Sequence, residues 1–181
     1  MSDYWSKTGE MFGKLIEKPK MQEKYLKKPP PKFIYHIVIN TMKKTGFPKG
    51  LFTDEEMNDK YFESDKNHKV EILQKIIDIT QIVTGEFFEI KCNDILKGEN
   101  PEKTNHFLQL FYTAATNGKD NSKFIEKYLE LKKHKNLKDI AKEISIQSVE
   151  KKFKSQPKTN NNKPMNNLNN LNNEKLQNDI W

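Results

Sequence analysis

The side chains here with the clearest chemical bias are amines: all 32 basic residues are lysine and none is arginine. Lysine presents a mobile, strongly hydrated point charge, whereas arginine presents a planar fork that grips phosphate or guanine through paired hydrogen bonds. A lysine-only chain suits diffuse attraction to an acidic polymer and serves bidentate readout poorly. The charge is also segregated along the chain. From Lys7 to Gly50, eleven lysines face Glu10, Glu17 and Glu23, a net of +8, while residues 61–118 hold six lysines and nine acids, a net of −3. Residues 119–155 are basic again, with eleven lysines and six acids giving +5. Such a positive segment draws in an acidic partner at long range, with an affinity that falls steeply with salt. In a chain also rich in asparagine and isoleucine, the same lysines would equally serve as a solvated surface, and both readings stand at this level.

Catalytic or metal chemistry would need polar groups that converge. His36, His68, His106 and His134 are scattered, without the i, i+4 pairing that places two imidazoles on one helical face. Cys92 is the single cysteine, which excludes an internal disulfide and a multi-cysteine metal site, and no Cys-His signature surrounds it. Gly46 and Gly50 lack the spacing, and the following Lys-Ser or Lys-Thr, of a phosphate loop. The expectation is a non-enzyme with no cofactor and no metal. Nucleic acid would require aromatics interleaved with basic residues. Most aromatics here fall on apolar helical faces, with Tyr25 and Tyr35 the exceptions, so glutamate-rich protein surfaces such as tubulin tails fit better. No apolar run approaches the roughly 20 residues of a membrane span. The first residues, Met1-Ser2-Asp3-Tyr4-Trp5-Ser6, have neither the basic start nor the apolar stretch of a signal peptide, so an intracellular protein without membrane insertion is expected.

The elements that must position these lysines are helical. Trp5, Thr8, Phe12, Leu15 and Ile16 recur at three- and four-residue steps before Pro19. A basic connection follows, with Lys18, Lys20, Lys24, Lys27 and Lys28 around the apolar anchors Met21, Tyr25 and Leu26, and ends in Pro29-Pro30-Pro31, where Pro31 suits a first helical position. The next helix buries Phe33, Ile34, Ile37, Val38 and Met42, places Lys43 and Lys44 in its last turn, where the dipole favours cations, and stops at Gly46. In residues 45–56, Thr53 and Glu56 form a capping box, while Phe47, Leu51 and Phe52 fold onto a core and leave Lys49 outside. A polar surface loop through Asn58, Asp59, Asp65 and Lys66 leads to the most apolar helix, residues 70–83. Its narrow polar stripe is Glu71, Gln74, Lys75, Asp78 and Gln81. After Gly85, Phe87, Phe88 and Ile90 form an irregular or short extended piece, and a single turn spans residues 93–96. Asn100-Pro101-Glu102 has the order of an N-cap, a first-turn proline and a first-turn acid, opening a helix that buries Phe107, Leu108, Phe111, Tyr112 and Ala115. Phe124, Ile125, Tyr128 and Leu129 mark a helix that completes the domain. Leu137, Ile140, Ala141, Ile144 and Val149 mark a basic amphipathic helix. The asparagine-rich remainder is too polar to form a core, but offers Leu168, Leu171, Leu176 and Trp181 as anchors for a partner's pockets.

Several ordered motifs carry a family resemblance. They are Gly13-Lys14-Leu15-Ile16-Glu17-Lys18-Pro19, Glu23-Lys24-Tyr25-Leu26-Lys27-Lys28-Pro29-Pro30, and the run from Thr45-Gly46-Phe47-Pro48-Lys49-Gly50 through Met57. Leu73-Gln74-Lys75-Ile76-Ile77-Asp78, Gly85-Glu86 and Gly98-Glu99-Asn100-Pro101-Glu102-Lys103-Thr104-Asn105 continue it in order. Together they resemble the N-terminal domain of the intraflagellar transport protein 54 family, microtubule-interacting proteins associated with a TNF-receptor adaptor. The resemblance spans roughly residues 8–132. It implies an all-α, divergent calponin-homology fold that binds tubulin or microtubules through a basic face. Lys14, Lys18, Lys24, Lys27, Lys28 and Lys49 occupy matching positions, and Lys20 and Lys32 are added on charge alone.

The expected organisation is a calponin-homology-like domain over residues 4–132, a basic amphipathic helix over 133–154 and a low-complexity tail over 155–181. The family continues into a coiled coil, and no heptad region is present here. That departure points to a structural component of the ciliary axoneme, held on the doublet microtubule by the domain and on other axonemal proteins by its tail. A subunit or adaptor of intraflagellar transport complex B, or an interaction module whose basic face is incidental, is the alternative.

Overall fold

The computed structural model describes residues 3–132, so the amphipathic helix from Leu137 and the tail anchors Leu168, Leu171, Leu176 and Trp181 lie outside the described residues. The described part is all helical, as expected, with eight helices and no strand: α1 (Ser6–Leu15), α2 (Glu23–Lys27), α3 (Pro31–Thr45), α4 (Asp59–Ser64), α5 (Lys66–Thr84), α6 (Cys92–Lys97), α7 (Pro101–Thr116) and α8 (Ser122–Lys132). Two of these, α2 and α4, fall where the sequence reads as connection and polar loop. At five and six residues they are too short to show a helical period.

The core is built around α5 and α7. Ile72, Leu73, Ile76, Ile77 and Ile79 of α5 and Phe107, Leu108 and Phe111 of α7 are fully enclosed. Helices α4, α6 and α8 pack on α5, while α1 and α3 pack on α7. Aromatic contacts tie the layers together: Phe12 of α1 lies edge-on to Tyr112 at 5.4 Å, and Tyr35 of α3 stacks on Phe62 of α4 at 4.3 Å. Helix α2 closes on α1 because residue 9 is glycine, as a Cβ there would lie 2.8 Å from the Leu26 Cδ1. The buried Asn105 amide holds the same corner, donating to the Leu26 carbonyl at 2.8 Å and the Pro101 carbonyl at 2.9 Å.

The 45–56 connection behaves as its composition predicts. Gly46 stops α3 at a φ of 81° with its N–H on the Met42 carbonyl, a conformation that costs residues with a Cβ dearly. Phe47, Leu51 and Phe52 are buried and Lys49 is exposed. Burying an aromatic or leucine of this size contributes about 1.5–3 kcal/mol each, which is what keeps so polar a backbone against the core. The capping box is reciprocal, the Thr53 N–H reaching Glu56 Oε2 at 2.9 Å and the Glu56 N–H reaching Thr53 Oγ1 at 3.3 Å. It closes one turn rather than opening a helix, and Asn58 caps α4 separately by accepting from the Lys60 N–H.

Two further polar features have a geometry that the sequence pattern does not show. Asn100 stands at the N-cap of α7 but has a φ of 50° and makes no capping bond, its amide instead donating to Asp94 Oδ2 at 2.9 Å. The polar stripe of α5 is largely buried: Asp78 and Gln81 are 4 % and 6 % exposed, and the Lys75 side chain is 12 % exposed. Apart from the exposed Glu71, the stripe meets polar groups of α8 and of the 53–56 turn.

Candidate functional site

After α1 the chain turns back along it. Met21 faces Gly13, Leu26 covers Gly9, and Lys27 ends beside the start of α1. There the Tyr4 hydroxyl donates to the Lys27 carbonyl at 2.8 Å, and the Lys27 ammonium stands 5.4 Å from the Trp5 ring. This return lays Lys14, Lys18, Lys20, Lys24 and Lys27 alongside α1 as one strip, all exposed. The other expected lysines are elsewhere. Lys28 leaves the strip and stretches its stem over Gly98. Lys32 is in the first turn of α3. Lys49 stands beyond the far end of α3, beside a cleft of about 380 Å³ that Ala114, Gly118 and Lys119 also line. The rise of α3, about 22 Å for its length, separates Lys32 from that end.

The expected lysines are partly self-neutralised. Lys14 pairs with Glu10 at 2.7 Å, Lys27 with Glu23, and Lys32 with Glu63 at 2.9 Å. In each case the hydrogen bond that the ammonium donates to the glutamate holds it above the usual lysine range, so all three are charged at neutral pH. Such exposed pairs contribute little to stability, and a partner's carboxylates can replace the glutamates at small cost. Lys18, Lys20, Lys24, Lys28 and Lys49 make no ion pair among the described residues, and Lys24 stands 4.7 Å over the Tyr25 ring.

The structure adds two lysines to this surface. Lys43 and Lys44 share a cleft of about 420 Å³ with Lys18, and Lys44 shares an adjoining one with Lys14 and Lys20. The ends of α1 and α3 converge there, so two negative dipole ends lie under the cations. Their place in the last turn of α3 is legible in the sequence; their proximity to Lys18 is not.

The remaining chemical candidates are absorbed into the structure. His36 pairs with Asp59 at 2.8 Å, His68 stacks on Tyr61, and His106 packs on Phe88. His134 lies outside the described residues. Among the described residues no group of three or more histidine, cysteine or acidic side chains could hold a metal ion, and no helix is long and apolar enough to cross a membrane. Tyr35, set aside above as a possible base-stacking residue, is 1 % exposed, and its hydroxyl donates to the Glu56 carbonyl at 2.9 Å. Burial drives its pKa up to about 12.

One cluster has the residue types of an acid–base site. The Tyr128 hydroxyl donates to Asp78 Oδ2 at 2.8 Å, Lys132 donates to the Tyr128 oxygen at 2.7 Å, and the Gln74 amide donates to Asp78 Oδ1 at 2.6 Å. The Cys92 thiol donates to Gln74 Oε1 at 3.3 Å, and burial raises its pKa to about 11. Burial, followed by Asp78, raises the Tyr128 hydroxyl far above its usual range. Asp78 and Tyr128 are enclosed, so this cluster clamps α8 onto α5 and offers nothing to a substrate.

Comparison with known proteins shows the family. Residues 4–117 match the family model described as "Microtubule-binding protein MIP-T3 CH-like domain". The chain is similar to "TRAF3-interacting protein 1" of Mus musculus, 42 % identical over 104 residues that make up 58 % of this chain and 16 % of that protein. It is also similar to the protein of the same name from Danio rerio, 37 % identical over 123 residues, 68 % of this chain and 19 % of that one. The match thus spans less than a fifth of these relatives' length. These relatives are named for interaction and binding rather than for catalysis. With its helical fold and a matched segment that covers most of its length, the chain belongs to the microtubule-binding protein MIP-T3 family, of which it carries the calponin-homology-like domain.

Proposed function

We propose that the chain binds tubulin in the microtubule, without catalysis, through exposed lysines of its calponin-homology-like domain. The observation that carries this reading is the family match over residues 4–117, and the strip from Lys14 to Lys27 supplies its physical basis. The strip, extended by Lys43 and Lys44 and flanked by Lys28, Lys32 and Lys49, presents mobile ammoniums to an acidic wall and has no arginine fork for phosphate. By resemblance to the family we place the protein in the cilium, as a structural component of the axonemal doublet. A subunit of the transport complex is the alternative. The tail residues Leu168, Leu171, Leu176 and Trp181 would anchor it to a neighbouring axonemal protein.

Co-sedimentation tests the first part. The full chain pellets with microtubules, leaves them as salt rises, and loses affinity when the glutamate-rich tubulin tails are removed. Replacing Lys24, Lys27, Lys28 and Lys49 by glutamate abolishes pelleting with an unchanged helical spectrum. Retention indifferent to salt and to the tails would overturn the lysine reading. Detergent and salt extraction of cilia separates the two ciliary roles: an axonemal component stays with the doublets, and a transport subunit leaves with the soluble matrix.

A further inference from the structure

A second basic site forms from residues that belong, by position in the chain, to its acidic stretch. A groove of about 490 Å³ opens between the start of α3, the first turn of α5 and the end of α6, lined by Pro31, Lys66, Lys69, Asn93, Leu96 and Lys97. Lys28 lies next to its Lys97 end, with its stem held over Gly98. Unlike Lys14, Lys27 and Lys32, these lysines are almost free of glutamate partners. Lys66 and Lys69 make no ion pair among the described residues, and Lys97 has only Glu99 at 3.9 Å. Of the nearby acids, Asp65 is engaged by the Asn67 N–H at 2.6 Å and Asp94 by the Asn100 amide. Glu63 is paired with Lys32.

The placement runs against helix stability. Both α3 and α5 begin at this groove; apart from Asp65, the N-cap of α5, no acid stands at either start, and Lys32, Lys66 and Lys69 occupy the first turns instead. Cations at a helix N-terminus oppose the dipole, so the fold concentrates positive potential here at some cost to itself. The floor, Pro31 and Leu96, is apolar, and no aromatic side chain or arginine lines the groove.

We propose, on the reading above that the chain binds tubulin, that this groove seats an extended glutamate-rich peptide such as a tubulin tail. Lys66 and Lys69, three residues apart on one helix, have Cβ atoms about 5–6 Å apart. Carboxylates on one side of an extended chain repeat at roughly 6.5–7 Å, within reach of flexible lysine heads. The glutamate methylenes lie on Pro31 and Leu96 while the carboxylates meet Lys28, Lys66, Lys69 and Lys97. The lysine strip along α1 then contacts the body of the acidic surface.

The test uses the full chain and a fluorescein-labelled peptide of ten glutamates, read by anisotropy at low salt. The triple variant K66E/K69E/K97E weakens peptide binding more than tenfold, K66Q/K69Q/K97Q weakens it in the same direction, and K14E/K18E/K20E weakens it less than threefold. The melting temperature of K66E/K69E/K97E is unchanged or raised, because acids suit the first turn of α5, so a binding loss cannot be misfolding. If the α1 variant loses more peptide affinity than the groove variants, the assignment is overturned. It is also overturned if an oligothymidylate of equal charge binds the wild type as tightly and is lost in the same variants. A wild-type chain that does not pellet with microtubules would refute the tubulin reading alone, since the peptide assay reports on the groove directly.

Discussion

The Lys75–Glu56 pair offers a demanding test of how the domain is held together. Lys75 belongs to the buried stripe of α5 and Glu56 to the turn that ends the 45–56 connection, and their side chains are 12 % and 6 % exposed. Replacing Lys75 with methionine keeps the apolar stem and removes the charge, leaving the Glu56 carboxylate buried with only the Thr53 N–H as a close donor. It cannot swing out to water easily, because the Glu56 N–H is held by Thr53 and its carbonyl by Tyr35. Breaking a buried pair from one side costs about 3–5 kcal/mol. Glu56→Gln is milder, as glutamine preserves the capping bond and Lys75 still has Glu71 at 3.8 Å, so about 1–2 kcal/mol is expected. The double variant should be more stable than K75M alone by about 2 kcal/mol, because neither partner is then left charged and alone. Urea unfolding followed by circular dichroism measures all three; with a slope of about 2 kcal/mol per molar, K75M lowers the midpoint by about 2 M. A K75M loss below about 1 kcal/mol, or a double variant no better than K75M, would refute the idea that this pair pins the connection to α5.

Tyr128→Phe removes a donor to a buried carboxylate and should cost about 1.5–3 kcal/mol, with hydrogen exchange in α8 rising first; unchanged protection there would refute the clamp. Gly98→Ala places a Cβ at a φ of 68° and against the Lys28 stem, so a loss of about 1–2 kcal/mol is expected in thermal unfolding. The Tyr35 pKa, held near 12 in the fold, is raised above its unfolded value. Its stabilising effect is complete below about pH 10 and lost as pH rises toward 12, so an alkaline titration followed by ultraviolet absorbance should show Tyr35 and Tyr128 ionising only as the helical signal collapses. The Cys92 thiol, pushed up to about 11 and enclosed, reacts with Ellman's reagent only as fast as the domain opens, and rapid labelling at pH 8 would contradict its burial.

Much of the architecture was legible because the local signals agree. Helices α3, α5 and α7 have apolar faces several turns long, and Pro31, Gly46 and Pro101 mark ends that backbone sterics enforce wherever the chain goes. The buried Phe47, Leu51 and Phe52 follow from the same logic, since a solvated loop has no use for such side chains. Helices α2 and α4 were not legible, because a single turn has no period and survives only by packing Leu26 and Phe62 into the core.

The helical class, the places where helices stop, and the supply of lysine without arginine follow from residue chemistry and near neighbours alone. What the polar groups face depends on how the helices assemble. The stripe of α5 has the pattern of a solvated edge, yet Asp78, Lys75 and Gln74 are met by partners from α8, the 53–56 turn and α6. The lysines behave the same way: counted along the chain, Lys66, Lys69 and Lys97 dissolve into an acidic average, whereas in space they gather beside Lys28. Electrostatic potential sums over distance rather than over sequence, so the fold, not the composition, sets where the charge accumulates.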